Sequence, residues 1–116
     1  MKTTLKHQTA DKLCTRTTAR AYTHVVVGKL VDVEGEIARY VADDERVQGY
    51  ESWSAEDKAR AHKNTLELIE SAKLARAGVW AWSGSAANAE KAAADFARRY
   101  TRCKFWVEQI NNGEAA

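Results

Sequence analysis

Two β-strand patterns enclose one helical pattern in the last third of the chain. "VWAWS" after Gly78 and "RCKFWVEQI" near the C-terminus alternate bulky and small or polar side chains, as half-buried strands do. Between them a helix is predicted, because small and aromatic residues recur on one face. That face contains Ala89, Ala93, Phe96, Ala97 and Tyr100. A chain with this order of patterns requires a sheet with a helix packed against it.

A third strand is predicted near residue 25. "RAYTHVVVGKL" is rich in β-branched residues and places Val26 on one face, with Val25 and Val27 on the other. Residues 30–47 follow with apolar side chains at helical spacing, which favours a helix. The same segment, "VDVEGEIARYV", also fits two short strands around a Glu-Gly turn, and both interpretations stay open at this stage.

The longest helical pattern covers residues 54–78. Ser54 followed by Asp57 resembles a capping box, and Gly78 is predicted to end the helix in the left-handed conformation. The predicted order is β-α-α-β-α-β, an α+β fold with a small three-stranded sheet and three helices. Residues 1–18 lack periodicity and are predicted to be a flexible basic arm, with residues 19–116 as a single α+β domain.

The charges are unevenly distributed along the chain. The formal net charge of +2 does not by itself imply nucleic acid or a membrane, but residues 1–20 sum to +4 and residues 21–52 to −4. There is no apolar run of about 18 residues and no signal-peptide pattern, so we expect a cytoplasmic protein without membrane contact. The basic residues of the arm are candidate phosphate contacts: Lys2, Lys6, Lys12, Arg16 and Arg20.

Neither a metal site nor a catalytic motif is predicted. The three histidines lack the spacing of metal ligands, and Cys14 and Cys103 lack a CxxC pattern, so we expect thiols, no metal and no cofactor. Cys103 and His24 could form a nucleophilic pair if the sheet brought them together, although packing is the more frequent role of such residues. We therefore expect a protein that is not an enzyme.

The Ser-Gly-Ser turn precedes the last helix. Ser83, Gly84 and Ser85 could hold an anion at the helix start. The turn has neither the Walker pattern nor the dinucleotide pattern, and a serine at this position usually caps the helix. Capping by Ser83 or Ser85 is the favoured interpretation.

The aromatic residues and the last basic cluster suggest contact with a macromolecule. Trp80 and Trp82 are two apart on one strand, so alternation predicts a shared face, which Trp106 could join. Such a face either packs or stacks nucleic-acid bases. Arg98, Arg99 and Arg102 lie where the last helix ends, and they either complement the helix dipole or bind an acidic partner.

"RAYTHVVVG" together with "AWSGSAANAEKAAADF" resembles small accessory proteins encoded by phages, over about half of the chain. The resemblance implies a binding role in the host-cell cytoplasm and carries no catalytic residue. Our first hypothesis is a non-enzymatic protein that occupies a surface of another protein, with a homodimer also considered. Its contact residues would be Trp80, Trp82, Trp106, Arg98, Arg99 and Arg102. The alternative is a single-stranded nucleic-acid-binding module that uses the basic arm and the aromatic sheet face.

Overall fold

The computed structural model describes residues 1–114 and has the predicted α+β architecture, with two strands more than expected. Contacts divide it into two compact units. The sheet unit comprises residues 1–31 and the chain from Arg76 onward, and the helical unit comprises Asp32–Ala75. In chain order the elements are β1 (Thr3–Gln8), β2 (Leu13–Thr18), β3 (His24–Leu30), α1 (Val33–Gln48), α2 (Ala55–Leu74), β4 (Gly78–Ser83), α3 (Ala86–Arg99) and β5 (Cys103–Gln109).

A three-stranded antiparallel sheet forms the centre of the sheet unit, in the order β4-β3-β5. Helix α3 covers one face, where Val26 packs with Ala89 and Ala93. Small alanine side chains let the helix approach the sheet closely, so Val26 and Ala89 are fully buried. The opposite face has its own core around Val25 and Val27. The predicted division of β3, with Val26 on one face and Val25 and Val27 on the other, is thus confirmed, and both faces are buried.

Residues 3–18 form a β-hairpin, whereas the sequence predicts a flexible arm. β1 pairs antiparallel with β2 from Thr3↔Thr18 to Gln8↔Leu13. The strands escape sequence-based recognition because the one side chain that they bury completely, His7, is polar. Thr9, in the turn, is 2% exposed and its hydroxyl donates to the carbonyl oxygen of Ala77 at 2.9 Å.

Asn111 attaches the hairpin to the end of β5. Its side-chain oxygen accepts from the Gln8 backbone N–H at 2.9 Å, and its side-chain nitrogen donates to the Gln8 carbonyl at 2.9 Å. One amide group therefore satisfies both backbone groups of Gln8, as a neighbouring strand would. The Gly113 N–H donates to the same Asn111 oxygen at 3.0 Å, which orients the amide.

The helical unit contains α1 packed against α2. Residues 33–48 are a helix rather than a hairpin, and Asp32 caps it by accepting from the Gly35 N–H at 3.0 Å. Ser54 caps α2 as predicted, accepting from the Asp57 N–H at 3.1 Å. No helix within residues 1–114 combines the length and apolar character needed to cross a bilayer.

The predicted C-cap of the long helix at Gly78 is wrong. Ala75 takes the left-handed conformation, with φ of 44°, and ends α2. Gly78 lies three residues later, at the start of β4, opposite Gly28 of β3. The sequence signal misleads because glycine is the usual residue in the left-handed position, whereas here alanine occupies it.

Candidate binding surface of the sheet unit

A β-bulge separates the two tryptophans of β4. Val26 pairs with Ala81 and Val27 pairs with Val79, so Trp80 is one extra residue in the strand. The bulge interrupts strict alternation. Trp82 packs at the core around Val25 and Val27, while Trp80 lies on the face covered by α3. The prediction that Trp80 and Trp82 share a face is therefore wrong.

Trp80 belongs to an aromatic cluster with residues of α3 and β5. Its ring centroid lies 4.9 Å from Phe105, 5.1 Å from Tyr100 and 5.4 Å from Phe96, each with an edge-to-face arrangement. Such pairs add stability beyond burial of apolar area. Trp80 remains 42% exposed, so it is a packing residue with one accessible edge.

Trp106 lies on the sheet face opposite α3, paired with Val27 across β3 and β5. It is 36% exposed, and its indole N–H donates to Oε2 of Glu108 at 2.6 Å. The other oxygen of Glu108 contacts Nε2 of buried His7 at 2.8 Å. Because Nδ1 of His7 accepts from the Asn111 backbone N–H at 3.3 Å, Nε2 carries the proton and donates to Glu108. This chain of hydrogen bonds fixes the position of the indole.

Two lysines lie directly opposite one another on the same face as Trp106. Lys29 of β3 pairs with Lys104 of β5, two positions along each strand from the Val27–Trp106 pair. Lys29 Nζ is 3.8 Å from Oδ2 of Asp11, and no carboxylate of residues 1–114 lies within 4 Å of Lys104 Nζ. Like charges opposite each other destabilise a sheet. We call Lys29, Lys104 and Trp106 the Lys–Trp surface.

Two members of the predicted arginine cluster, Arg98 and Arg99, lie away from this surface. Arg98 and Arg99 are exposed in the last turn of α3, the helix that covers the other sheet face. Arg98 forms an ion pair with Asp95 one turn earlier, and the carbonyl of Arg102 accepts from the Val31 N–H at 2.9 Å. The predicted contact set is therefore divided, because Trp80, Arg98 and Arg99 lie on the α3 side of the sheet and Trp82 and Trp106 on the opposite face.

The five basic residues of the predicted arm are carried by the β1–β2 hairpin and its flanks. Lys6 is exposed on β1. Arg16 places its guanidinium 5.4 Å from the ring centroid of Tyr22, a cation–π contact. Lys12 lies against Gly78, since a Cβ at that glycine would be 2.7 Å from Lys12 Cε. The other two, both exposed, are Lys2 and Arg20.

The Ser-Gly-Ser turn has the predicted capping role. Ser85 is the N-cap of α3, and its hydroxyl accepts from the Asn88 N–H at 3.2 Å. Ser83 is instead the last residue of β4, and its carbonyl accepts from the Thr23 N–H at 2.9 Å. Gly84 connects the two. An anion at this turn stays a prediction.

The side chains proposed for nucleophilic chemistry do not meet. His24 pairs with Gln109 and Cys103 pairs with Leu30, at opposite ends of β3 and about 20 Å apart by strand geometry. Neither cysteine forms a disulfide. No group of three or more potential metal ligands occurs in the part of the chain that the structure describes.

A shallow groove of about 580 Å³ lies in the helical unit beside Trp53, Asp57 and Arg60.

The two units have opposite charge. The sheet unit has 12 basic and 5 acidic residues, a net charge of +7, and the helical unit has 6 basic and 11 acidic residues, a net charge of −5. Sequence sums over consecutive segments underestimate this separation, because residues 1–31 join the C-terminal third only in the fold. The alternation in "CKFWVEQ" does indicate that Lys104 and Trp106 share a face, but it cannot show that Lys29 lies beside them.

No protein-family model, curated protein or solved structure matches this chain.

Proposed function

We propose that the protein is a non-enzymatic nucleic-acid-binding protein and that the sheet unit is its binding part. The observation that carries the proposal is the net charge of +7 in the sheet unit, in a chain whose total is only +2. Concentrated positive charge attracts polyphosphates and releases their counterions. The hairpin supports this role, because it carries exposed Lys6 on a strand and has exposed Lys2 and Arg20 at its two ends, rather than on a disordered arm.

The positions of the tryptophans also favour nucleic-acid binding over protein binding as the role of the sheet unit. Trp82 is half-buried against a core cluster and Trp80 contacts three aromatic rings. Interface hot spots group on one surface. Since the predicted hot-spot set is split between two faces, it supports a single protein-binding patch poorly. A binding role without catalysis also agrees with the resemblance to phage accessory proteins.

A protein partner remains a second candidate function, and the helical unit favours it. Ala72 is the only buried residue of α1 and α2, whereas the large apolar side chains of Trp53, Leu66, Leu68 and Leu74 are 41–62% exposed. Exposed apolar side chains of this kind are typical of interaction surfaces. Sedimentation at increasing protein concentration tests whether the partner is a second copy, and Leu66→Lys should then favour the monomer. A monomer at every concentration would exclude the homodimer.

Fluorescence anisotropy of a labelled single-stranded oligonucleotide tests the proposed function. Replacing Lys6 and Arg20 together by glutamine should weaken binding by about threefold to tenfold, because two phosphate contacts are lost. The matched control replaces Lys58 and Lys63 of the acidic helical unit by glutamine and should leave affinity unchanged or only slightly weaker, because these lysines lie outside the proposed binding unit. Equal losses in both variants, or no binding by the unaltered protein, would contradict the proposal.

A further inference from the structure

We propose that the Lys–Trp surface holds one nucleotide of a single strand, with the base stacked on Trp106 and the adjoining phosphate between Lys29 and Lys104. This inference rests on the proposed nucleic-acid-binding function and adds to it a specific site and a preference for single strands. Three observations carry it: the exposed and fixed indole, the opposed lysine pair in which Lys104 has no ion pair among residues 1–114, and the order of charges along β5.

The indole of Trp106 suits stacking because its orientation is set before any ligand arrives. Its N–H is held by Glu108, which is itself held by buried His7. Among the rings of residues 1–114, none lies in a stacking or edge contact with Trp106, whereas Trp80 has three such neighbours. A planar base can therefore cover the exposed part of this ring without displacing another aromatic residue.

The lysine pair suits a phosphate because the two ammonium groups repel each other. Side chains directly opposite on antiparallel strands have their Cβ atoms about 5 Å apart. Of the two lysines, only Lys29 has a carboxylate nearby, because its Nζ is 3.8 Å from Oδ2 of Asp11. Lys104 has no ion pair among the described residues. An anion between the two ammonium groups would remove the repulsion and would accept hydrogen bonds from both.

The order of charges along β5 sets the orientation of the bound nucleic-acid strand. Lys104, Trp106 and Glu108 follow one another on one face, with successive members about 7 Å apart. The carboxylate of Glu108 repels a phosphate at one end of the indole, and the lysines attract it at the other. A duplex keeps its bases stacked inside and would have to open before a base reached Trp106, so single strands should bind more tightly.

The test compares three ligands of equal length: an oligothymidylate, the same backbone with abasic sites in place of the bases, and a duplex. The abasic strand keeps the phosphates and loses stacking. The unaltered protein should bind oligothymidylate about tenfold more tightly than the abasic strand. Trp106→Ala should lose that difference and leave affinity for the abasic strand unchanged, while Trp106→Phe should retain most of it.

Two further variants separate the roles of the residues. Lys104→Gln should weaken binding of oligothymidylate and of the abasic strand by the same factor, because it removes a phosphate contact. Tyr50→Ala is the matched control, since Tyr50 is a similarly exposed aromatic residue of the acidic helical unit, and it should leave the affinity for both strands unchanged.

Equal affinity of the unaltered protein for oligothymidylate and the abasic strand would overturn this inference. So would an effect of Trp106→Ala on both ligands alike in a protein whose circular dichroism is unchanged. If Trp106→Ala fails to fold, the ligand comparison with the unaltered protein and Trp106→Phe decides the question. Salt-dependent binding without base discrimination would remove the stacking site and leave the proposed function standing, whereas no binding of any ligand would remove both.

Discussion

Gly28 is the point where two aromatic rings approach the central strand. A Cβ at this position would lie 2.5 Å from Nε1 of Trp80 and 2.6 Å from Cε1 of Phe105. Gly28→Ala should therefore force both rings to shift and lower the free energy of unfolding by about 1–3 kcal/mol, as overpacking does. Urea denaturation measures the loss. The control is Gly84→Ala, whose nearest neighbour would be the Ala21 oxygen at an ordinary 3.7 Å, and a loss as large as that of Gly28→Ala would contradict the packing account.

Ala75 is a second residue where backbone and side chain conflict. Its φ of 44° belongs to the left-handed region, which alanine adopts at a cost of roughly 1 kcal/mol and glycine adopts freely. Ala75→Gly should raise the stability of the helical unit by up to about 1 kcal/mol, as measured by thermal unfolding of the full chain. A clear decrease in the midpoint would show that α2 does not end at this residue.

At the level of elements, the attachment of the β1–β2 hairpin depends on few side chains. Asn111→Ala would remove both hydrogen bonds to the Gln8 backbone and should cost about 1–3 kcal/mol, because partly buried backbone groups lose their partners. Hydrogen exchange at the Gln8 amide should accelerate in parallel. Asn64→Ala, on the surface of α2, is the control. Unchanged protection of Gln8 would mean that the hairpin is held by other contacts.

The same hairpin reverses an expectation from the sequence. An arm without structure would be dispensable, so deletion of residues 2–16 would leave the thermal midpoint unchanged. In the structure this deletion removes buried His7 and Thr9 and the partner of the Ala77 carbonyl. We therefore expect the truncated chain to unfold at a clearly lower temperature, and an unchanged midpoint would support the flexible-arm interpretation instead.

Helices α1 and α2 are joined by a pair of titratable groups. Asp44 Oδ2 lies 2.7 Å from Nδ1 of His62, and this hydrogen bond is the main reason why the pKa of Asp44 lies below its ordinary value. Gln48 donates a longer bond of 3.3 Å to the same carboxylate. Because the folded pKa is lowered, the contribution of charged Asp44 is complete above the ordinary aspartate pKa, near about 4, and is lost as the pH falls through the lowered folded value.

His62→Ala should accordingly raise the pKa of Asp44 towards its ordinary value. Carboxyl carbon chemical shifts, followed by NMR across the acid range, measure this directly. Gln48→Ala should cause a smaller rise, since its hydrogen bond is a lesser cause of the lowered pKa. A pKa of Asp44 that does not respond to His62→Ala would show that the pair is not formed in solution.

For the whole molecule, sequence patterns predict the α+β class, three of the strands, helices α2 and α3 and the cap at Ser54. They favour a helix for α1 without excluding a hairpin, and they leave Ser83 and Ser85 as alternative caps of α3. These features depend on local periodicity and local hydrogen bonds. The hairpin escapes prediction because its one completely buried strand residue, His7, is polar. The predicted common face of Trp80 and Trp82 is wrong because alternation does not reveal a β-bulge. The Lys29–Lys104 pair depends on strand register, which no local pattern fixes.

The opposite charges of the two units are the whole-molecule property on which the proposed function depends. A net charge of +2 spread evenly over the chain would attract a polyanion only weakly. The sheet unit alone, however, has a net charge of +7. The Lys–Trp surface and the exposed basic residues of the hairpin both belong to this unit. The charge distribution therefore predicts binding that is governed by phosphate contacts and is strongly dependent on ionic strength.

The salt dependence of affinity for a single-stranded oligonucleotide tests this claim most directly. Each neutralised phosphate contributes a slope of about −0.7 to a plot of log K against log salt concentration, so three to five contacts give about −2 to −3.5. We expect a linear plot within that range for the full-length protein. A slope near zero, or no measurable affinity at low salt, would contradict the account.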